Sequence, residues 1–242
     1  TCEDSLNNKA LLTIVRWLVI VAMPFLLGLG MIRAVIAWDY PGFEYARIPS
    51  DVFGFTDEQR VELAQGTLDY LRRPEPADEV IDMLLDLRLP GSDQPLYNER
   101  EVDHMLDVKN LTDAIKRIAT VAGAIVVVGL AILLIPRATR AYGWRTVFLA
   151  GLATVIALAV IALLILIAWP IFFVQFHELL FPPETWTFSY SDSLIRLFPE
   201  QFWFDFGVLV SVGTLVLGVV VTLVGWLMSR RGRATAAQPR PS

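Results

Sequence analysis

Four long stretches of this chain carry almost no polar residue. They are separated by two polar segments and one short basic turn. The apolar stretches run from about Ala10 to Trp38, from Ile118 to Ile135, from about Thr146 to Val174 and from Phe206 to Met228. A hydrocarbon core of about 30 Å takes roughly 20 apolar helical residues to cross, so each stretch is long enough. The pattern predicts an all-α membrane protein with four transmembrane helices and two outward-facing segments that contain short helices. Composition agrees: 55% of the 242 residues are hydrophobic and only 19% are charged, which excludes an ordinary soluble domain.

The predicted division is a tail over 1–9, spans over 10–38, 118–136, 146–175 and 206–228, and three connections with a final tail. The connections are an outer helical segment (39–117), a cytoplasmic loop (137–145) and an aromatic outer loop (176–205). The basic tail covers 229–242. Charge sets the orientation. The loop between spans two and three holds Arg137, Arg140 and Arg145 and no acid; the tail holds Arg230, Arg231, Arg233 and Arg240 and no acid. Both read as cytoplasmic under the positive-inside rule. Residues 39–115 hold 18 acids and 7 bases, a net of −11, and residues 176–205 hold 5 acids and 1 base, a net of −4. Both read as outside, with both termini inside. Lys116 and Arg117 stand against this rule. The acidity belongs to the outer segments and gives no reason to expect a nucleic-acid partner.

Motifs for other chemistry are absent from the sequence: no internal repeat, Gly-rich phosphate loop, GxSxG elbow or HExxH pair. The single cysteine, Cys2, excludes an intramolecular disulfide and is expected in a disordered end. Span one is too long to be a simple cleaved signal.

Within the first outer segment, Val61, Ala64, Leu68 and Leu71 recur at helical spacing after a cap at Thr56 or Asp57, and Pro74 and Pro76 stop the helix. A short apolar run, Val80 to Leu87, follows. These short helices need tertiary packing to persist. The next helix, YNEREVDHMLDVKNL (97–111), opens with Asn98 and Glu101 in capping-box spacing. In it His104 and Asp107 lie three residues apart and share a face, so the carboxylate could fix the imidazole tautomer. The second outer segment is aromatic: residues 172–206 contain 12 of the 27 aromatic residues. Phe181, Trp186, Phe188, Phe198 and Trp203 suit a membrane interface or a packed cover over the bundle rather than a free loop.

His104 and His177 are the only histidines. From Arg137 back to His104 is 33 residues, and from Arg145 forward to His177 is 32. Spans two and three are antiparallel neighbours, so continuous helices place both histidines at matching height, on the order of 50 Å from the inner boundary. That is roughly 20 Å above the hydrocarbon core. Tilt, a kink at Pro170 or a break near Asn110 must lower them for lipid chemistry.

EREVDHMLDVKNL, followed by FHELLFPPETWTF and DSLIRLFPEQFW, resembles the lipoprotein intramolecular transacylase family of bacterial integral membrane proteins. The resemblance covers most of the chain, with four spans and both histidine motifs in order. It implies an enzyme at the outer face of the bacterial cytoplasmic membrane. The implied substrates are bacterial lipoproteins with a diacylglyceryl group on the amino-terminal cysteine, whose sn-2 acyl chain moves to the α-amine. By motif position it implies that His104 and His177 are catalytic.

The residues suit that transfer. An O-to-N acyl shift needs a neutral amine, and an α-amino group has a pKa near 8. A histidine pair can supply general base and acid. Lys109, Trp186, Tyr190 or a backbone amide are oxyanion-donor candidates, and Asp107 is the candidate to orient His104. No metal, nucleotide or redox cofactor is required. Two other readings use the same residues. In one, His104, Asp107, His177 and Glu178 hold zinc in a metalloenzyme or metal sensor. In the other, the chain is a non-enzymatic membrane module whose outer loops bind a partner protein.

Overall fold

The computed structural model describes residues 2–236, with side chains over 9–231. The side chains of Cys2, Arg233 and Arg240 lie outside the described residues. The elements are α1 (Cys2–Ala37), α2 (Tyr40–Tyr45), α3 (Asp57–Arg72), α4 (Asp82–Leu85), α5 (Glu99–Leu134), α6 (Arg140–Leu180), α7 (Ser193–Leu197) and α8 (Glu200–Ala236), with one 3-10 turn at Ala77–Glu79. Helix α1 continues back to Cys2, so the stretch before Ala10 prolongs the first spanning helix. Four helices are long and apolar enough to cross a membrane: Lys9–Ala37, Glu99–Leu134, Arg140–Leu180 and Glu200–Arg231. The all-α, four-span reading therefore holds. The spanning helices are longer than the apolar runs, because the polar turns of 99–117 stay helical without interruption. There is no break at Asn110. Helix α6 does kink, at Ala168, where φ −139° and ψ 36° leave the helical region two residues before Pro170. Proline lacks the N–H that would continue the ladder and crowds the preceding turn.

The chain divides into two compact units. The first comprises Thr1–Met31, Arg117–Ala162 and Val210–Ser242. Its core is Val19, Ile20, Ala22, Met23, Ala122, Val126 and Ala150. Small residues bring the helices together. A Cβ on Gly151 or Gly225 would collide with backbone atoms of Thr222 and Phe148, so α6 and α8 cross in backbone contact. The hydroxyls of Thr154, Thr214, Thr222 and Ser229 each donate to the carbonyl four residues earlier, which satisfies them inside their own helices. Large apolar side chains such as Val128, Val220 and Leu223 are left exposed, as a lipid-facing surface requires. Arg140 caps α5 by donating to the carbonyls of Leu134 and Ile135, both at 3.0 Å.

The second unit comprises Ile32–Lys116 and Leu163–Leu209 and carries the polar segments. Thr56 and Gln59 form a reciprocal capping box that starts α3. At its end Arg72 donates to the carbonyls of Ile36 (2.9 Å) and Trp38 (3.1 Å), closing the C-terminal turn of α1. Buried Arg60 lies 4.2 Å over the Tyr45 ring and donates to the Pro49 carbonyl at 3.0 Å. Lys109 is fully buried and pairs with Asp113, while its ammonium also donates to the Glu75 carbonyl at 2.9 Å. Lys116 pairs with the same Asp113 at 2.9 Å and reaches the carbonyls of Leu71 and Arg73. This network fastens the segment after α3 to α5. It also gives Lys116, which broke the charge rule, a local carboxylate partner.

Candidate functional site

The aromatic outer loop is a packed cover, held in the second unit by polar ties. Glu101, 1% exposed, completes the capping box of α5: its Oε2 accepts the Asn98 N–H at 2.8 Å, and the Glu101 N–H donates to the Asn98 Oδ1 at 3.1 Å. Its other oxygen accepts the Leu194 N–H at 2.7 Å and so docks α7 on α5. Arg100 donates to the Thr187 carbonyl at 2.6 Å and stands 5.7 Å over the Phe188 ring. Arg196 pairs with Asp51 at 2.9 Å and stacks 3.4 Å over Phe55. The Tyr45 hydroxyl donates to the Leu197 carbonyl.

These ties set the surroundings of the two histidines. The ring of His104 on α5 lies 6.4 Å from that of His177 on α6, with their planes 24° apart. The matching height read from helix lengths thus becomes direct adjacency. His104 is buried against Phe181 (4.9 Å) and Phe188 (5.4 Å). His177 is half-buried among Phe173 (4.2 Å), Phe176 (5.3 Å), Phe181 (5.5 Å) and Trp186 (4.9 Å). Its Nδ1 lies 2.8 Å from the carbonyl of Phe173, one turn back along α6. A carbonyl only accepts, so Nδ1 carries the proton and Nε2 keeps its lone pair. His104 Nδ1 is buried with no hydrogen-bond partner.

The remaining residues expected at the site divide. Trp186 forms one wall against His177. Asp107 is half-buried and makes no hydrogen bond to His104; the imidazole is turned into the aromatic box, and sharing a helix face was not enough. Lys109 is committed to Asp113 and the Glu75 carbonyl, so it is not offered as an oxyanion donor. Tyr190 is 79% exposed and in no described contact. Glu178 accepts from Gln175 at 2.7 Å, and among the described residues no three His, Cys, Asp or Glu side chains gather at metal-ligand spacing, so the zinc reading lacks its ligand set. Sequence reasoning missed Phe173 as the tautomer-setting carbonyl, although its i−4 relation to His177 was available. It also read Glu101 only as a cap; its bond across 93 positions to Leu194 left no local signal.

Spanning helices that bring two imidazoles ring to ring beneath an aromatic cover define a membrane-integral helical protein with a histidine-pair site suited to proton transfer. The chain belongs to the lipoprotein intramolecular transacylase (Lit) family, whose model matches residues 10–203. It is accordingly an acyltransferase, and the reading as a non-enzymatic module is set aside. Among relatives, an uncharacterized protein of Aquifex aeolicus is 27% identical over 217 residues, covering 88% of this chain and 94% of that protein. Among solved structures, the membrane-integral lipoprotein intramolecular transacylase Lit from Bacillus cereus shares the fold, with a TM-score of 0.76 at 21% identity, covering 93% of this chain and 99% of that one. A form of the same protein with one histidine replaced by arginine gives a TM-score of 0.73 at 20% identity, covering 97% of this chain and 100% of that one.

Proposed function

We propose that the chain moves the sn-2 acyl chain of a diacylglyceryl lipoprotein onto the α-amine of its amino-terminal cysteine, with His104 and His177 as the catalytic residues. The observation that carries this reading is the imidazole pair, 6.4 Å between centroids, in an aromatic enclosure. His177 is the base. Its Nδ1–H is held by the Phe173 carbonyl, so Nε2 takes a proton from the substrate ammonium. The freed amine attacks the sn-2 ester carbonyl, forming the C–N bond and an oxyanion. Collapse breaks the bond from carbon to the glycerol oxygen; the proton held by His177 passes to that oxygen, and the second proton lost by nitrogen leaves to solvent through the freed imidazole. The product is an N-acyl, S-monoacylglyceryl lipoprotein of unchanged mass.

His104 stands beside the reacting atoms and donates to the oxyanion or the leaving oxygen. Trp186, against His177, stabilises the imidazolium through its ring face. Nucleophile and ester belong to one substrate molecule, so holding them in a reactive geometry supplies much of the rate. The aromatic walls Phe181 and Phe188 exclude water, which favours transfer over hydrolysis. The reaction uses no covalent enzyme intermediate, and Asp107, Lys109 and Tyr190 take no part in it. The charge asymmetry of the connections supports both termini on the cytoplasmic side and the site on the outer face of the bacterial cytoplasmic membrane.

The test is mass spectrometry of a diacylglyceryl lipopeptide incubated with purified protein. A product of unchanged mass with the acyl group on nitrogen is expected, reduced at least about 100-fold in His104→Ala and His177→Ala. Loss of one acyl chain's mass would identify a hydrolase instead. Full transfer by both histidine variants would refute their roles.

A further inference from the structure

The unit formed by Thr1–Met31, Arg117–Ala162 and Val210–Ser242 carries a charge imbalance that its described side chains do not relieve. Over residues 9–31, 117–162 and 210–231 there are eight Lys and Arg and no Asp or Glu. Several of these cations have other partners. Arg140 caps the α5 carbonyls, Arg16 lies 4.9 Å over the Tyr142 ring, and Arg230 lies 4.0 Å over the Trp226 ring. Arg145 differs. It is exposed, and among the described residues it makes no hydrogen bond, ion pair or ring contact.

Arg145 lines a cleft of about 180 Å³ whose other walls are Phe148, Leu149, Trp226 and Ser229. The cleft sits on the backbone contact of α6 with α8, where Gly225 meets Phe148, so its walls are held by a close helix crossing. Ser229 spends its hydroxyl proton on the Gly225 carbonyl, which leaves the guanidinium as the principal donor. Trp226 carries Arg230 on its ring, so a second cation borders the same wall. The cleft lies near the first residues of span Arg140–Leu180 and the last of span Glu200–Arg231, the level at which lipid headgroups meet water. Its occupant must therefore match an unpaired guanidinium at one end and apolar side chains at the other.

We propose that this cleft seats the phosphate of an anionic phospholipid on Arg145, with an acyl chain lying against Phe148 and Leu149. A guanidinium fork matches phosphate oxygens, and basic pockets between spanning helices are suited to anionic headgroups. The lining of the cleft holds one cation and no carboxylate, which favours a net-negative lipid over a zwitterionic one. The cleft shares no residue with the histidine pair, and the proposal does not depend on the histidine chemistry.

The test is native mass spectrometry of the full chain titrated with phosphatidylglycerol or phosphatidylcholine, with soluble glycerol 3-phosphate as competitor. Arg145→Gln is compared with Arg137→Gln, which removes the same charge from the turn before α6, outside the cleft. Wild type should retain phosphatidylglycerol over phosphatidylcholine. Arg145→Gln should lower that retention about fivefold, the factor set by one basic side chain at an anionic surface, and Arg137→Gln by less than about twofold. Glycerol 3-phosphate should not displace the lipid. Arg145 has no partner among the described residues, so its loss should leave the melting temperature unchanged. Unaltered retention in Arg145→Gln, equal losses in the two variants, or displacement by soluble glycerol 3-phosphate would each overturn the proposal.

Discussion

Replacing Glu101 with alanine should slow turnover while leaving substrate binding nearly intact. The carboxylate is 1% exposed and accepts two backbone N–H groups, from Asn98 at 2.8 Å and Leu194 at 2.7 Å. A net contribution of about 1.5–3 kcal/mol is typical for a hydrogen bond to a charged group. Alanine also strands the N–H of Leu194, itself buried, so the docking of α7 should weaken by about 3 kcal/mol. Glutamine keeps one acceptor but turns an NH2 toward the other donor, so about half that loss is expected. The loop ahead of α7 carries Phe181 and Phe188 against His104 and Trp186 against His177. A displacement of about 1 Å in a positioning element can cost on the order of 100-fold in rate. In the lipopeptide assay kcat should fall about 10- to 100-fold in Glu101→Ala and less in Glu101→Gln, with KM changed less than about threefold. Arg100→Ala, which releases the Thr187 carbonyl, should follow the same direction. The reasoning fails if Glu101→Ala turns over like wild type, or if the activity lost merely equals the folded protein lost. An inactive wild-type protein would instead count against the transacylase reading.

Glu44 is buried, and burial, then the nearby Asp205 carboxyl, push its own carboxyl up to about 7, against the pull of Arg47. The unfolded chain releases this proton near pH 4.3, so the folded state holds the extra proton between there and about 7, and stability falls as pH rises through that window. Melting temperatures measured from pH 4 to 8 should show Glu44→Gln flattening this decline; an unchanged slope would contradict it. At Asp51 burial raises the carboxyl, but the Arg196 hydrogen bond, the Phe55 amide and the Arg196 charge outweigh it and leave it below the usual value. Its stabilisation is present above about pH 4 and disappears as pH falls toward the folded value, so Asp51→Asn should lose most relative to wild type at neutral pH and converge with it in acid. Gly225→Leu should destabilise by about 1–3 kcal/mol or more, because the new side chain meets the Phe148 backbone; a melting temperature equal to wild type would mean that α6 and α8 do not cross there.

Hydrophobic length and charge by themselves determined the four spanning helices, because a helix crossing hydrocarbon needs a long apolar run whatever its neighbours do. The caps at Thr56 and Asn98 and the stop after α3 were also legible, since each is a contact within a few residues. Helix arithmetic gave the histidines only a matching height, because a rise of about 1.5 Å per residue converts sequence distance to height; their ring-to-ring adjacency came from the fold. The tertiary structure decided what surrounds them. Asp107 shares a helix face with His104 but does not bond it, Lys109 is consumed by Asp113, and Tyr190 is out in the open. Glu101 reaches Leu194 and Arg100 reaches Thr187 across 93 and 87 positions. Periodicity reports which side of an element is apolar, but a partner so far along the chain is chosen by packing, so only the folded chain could name it.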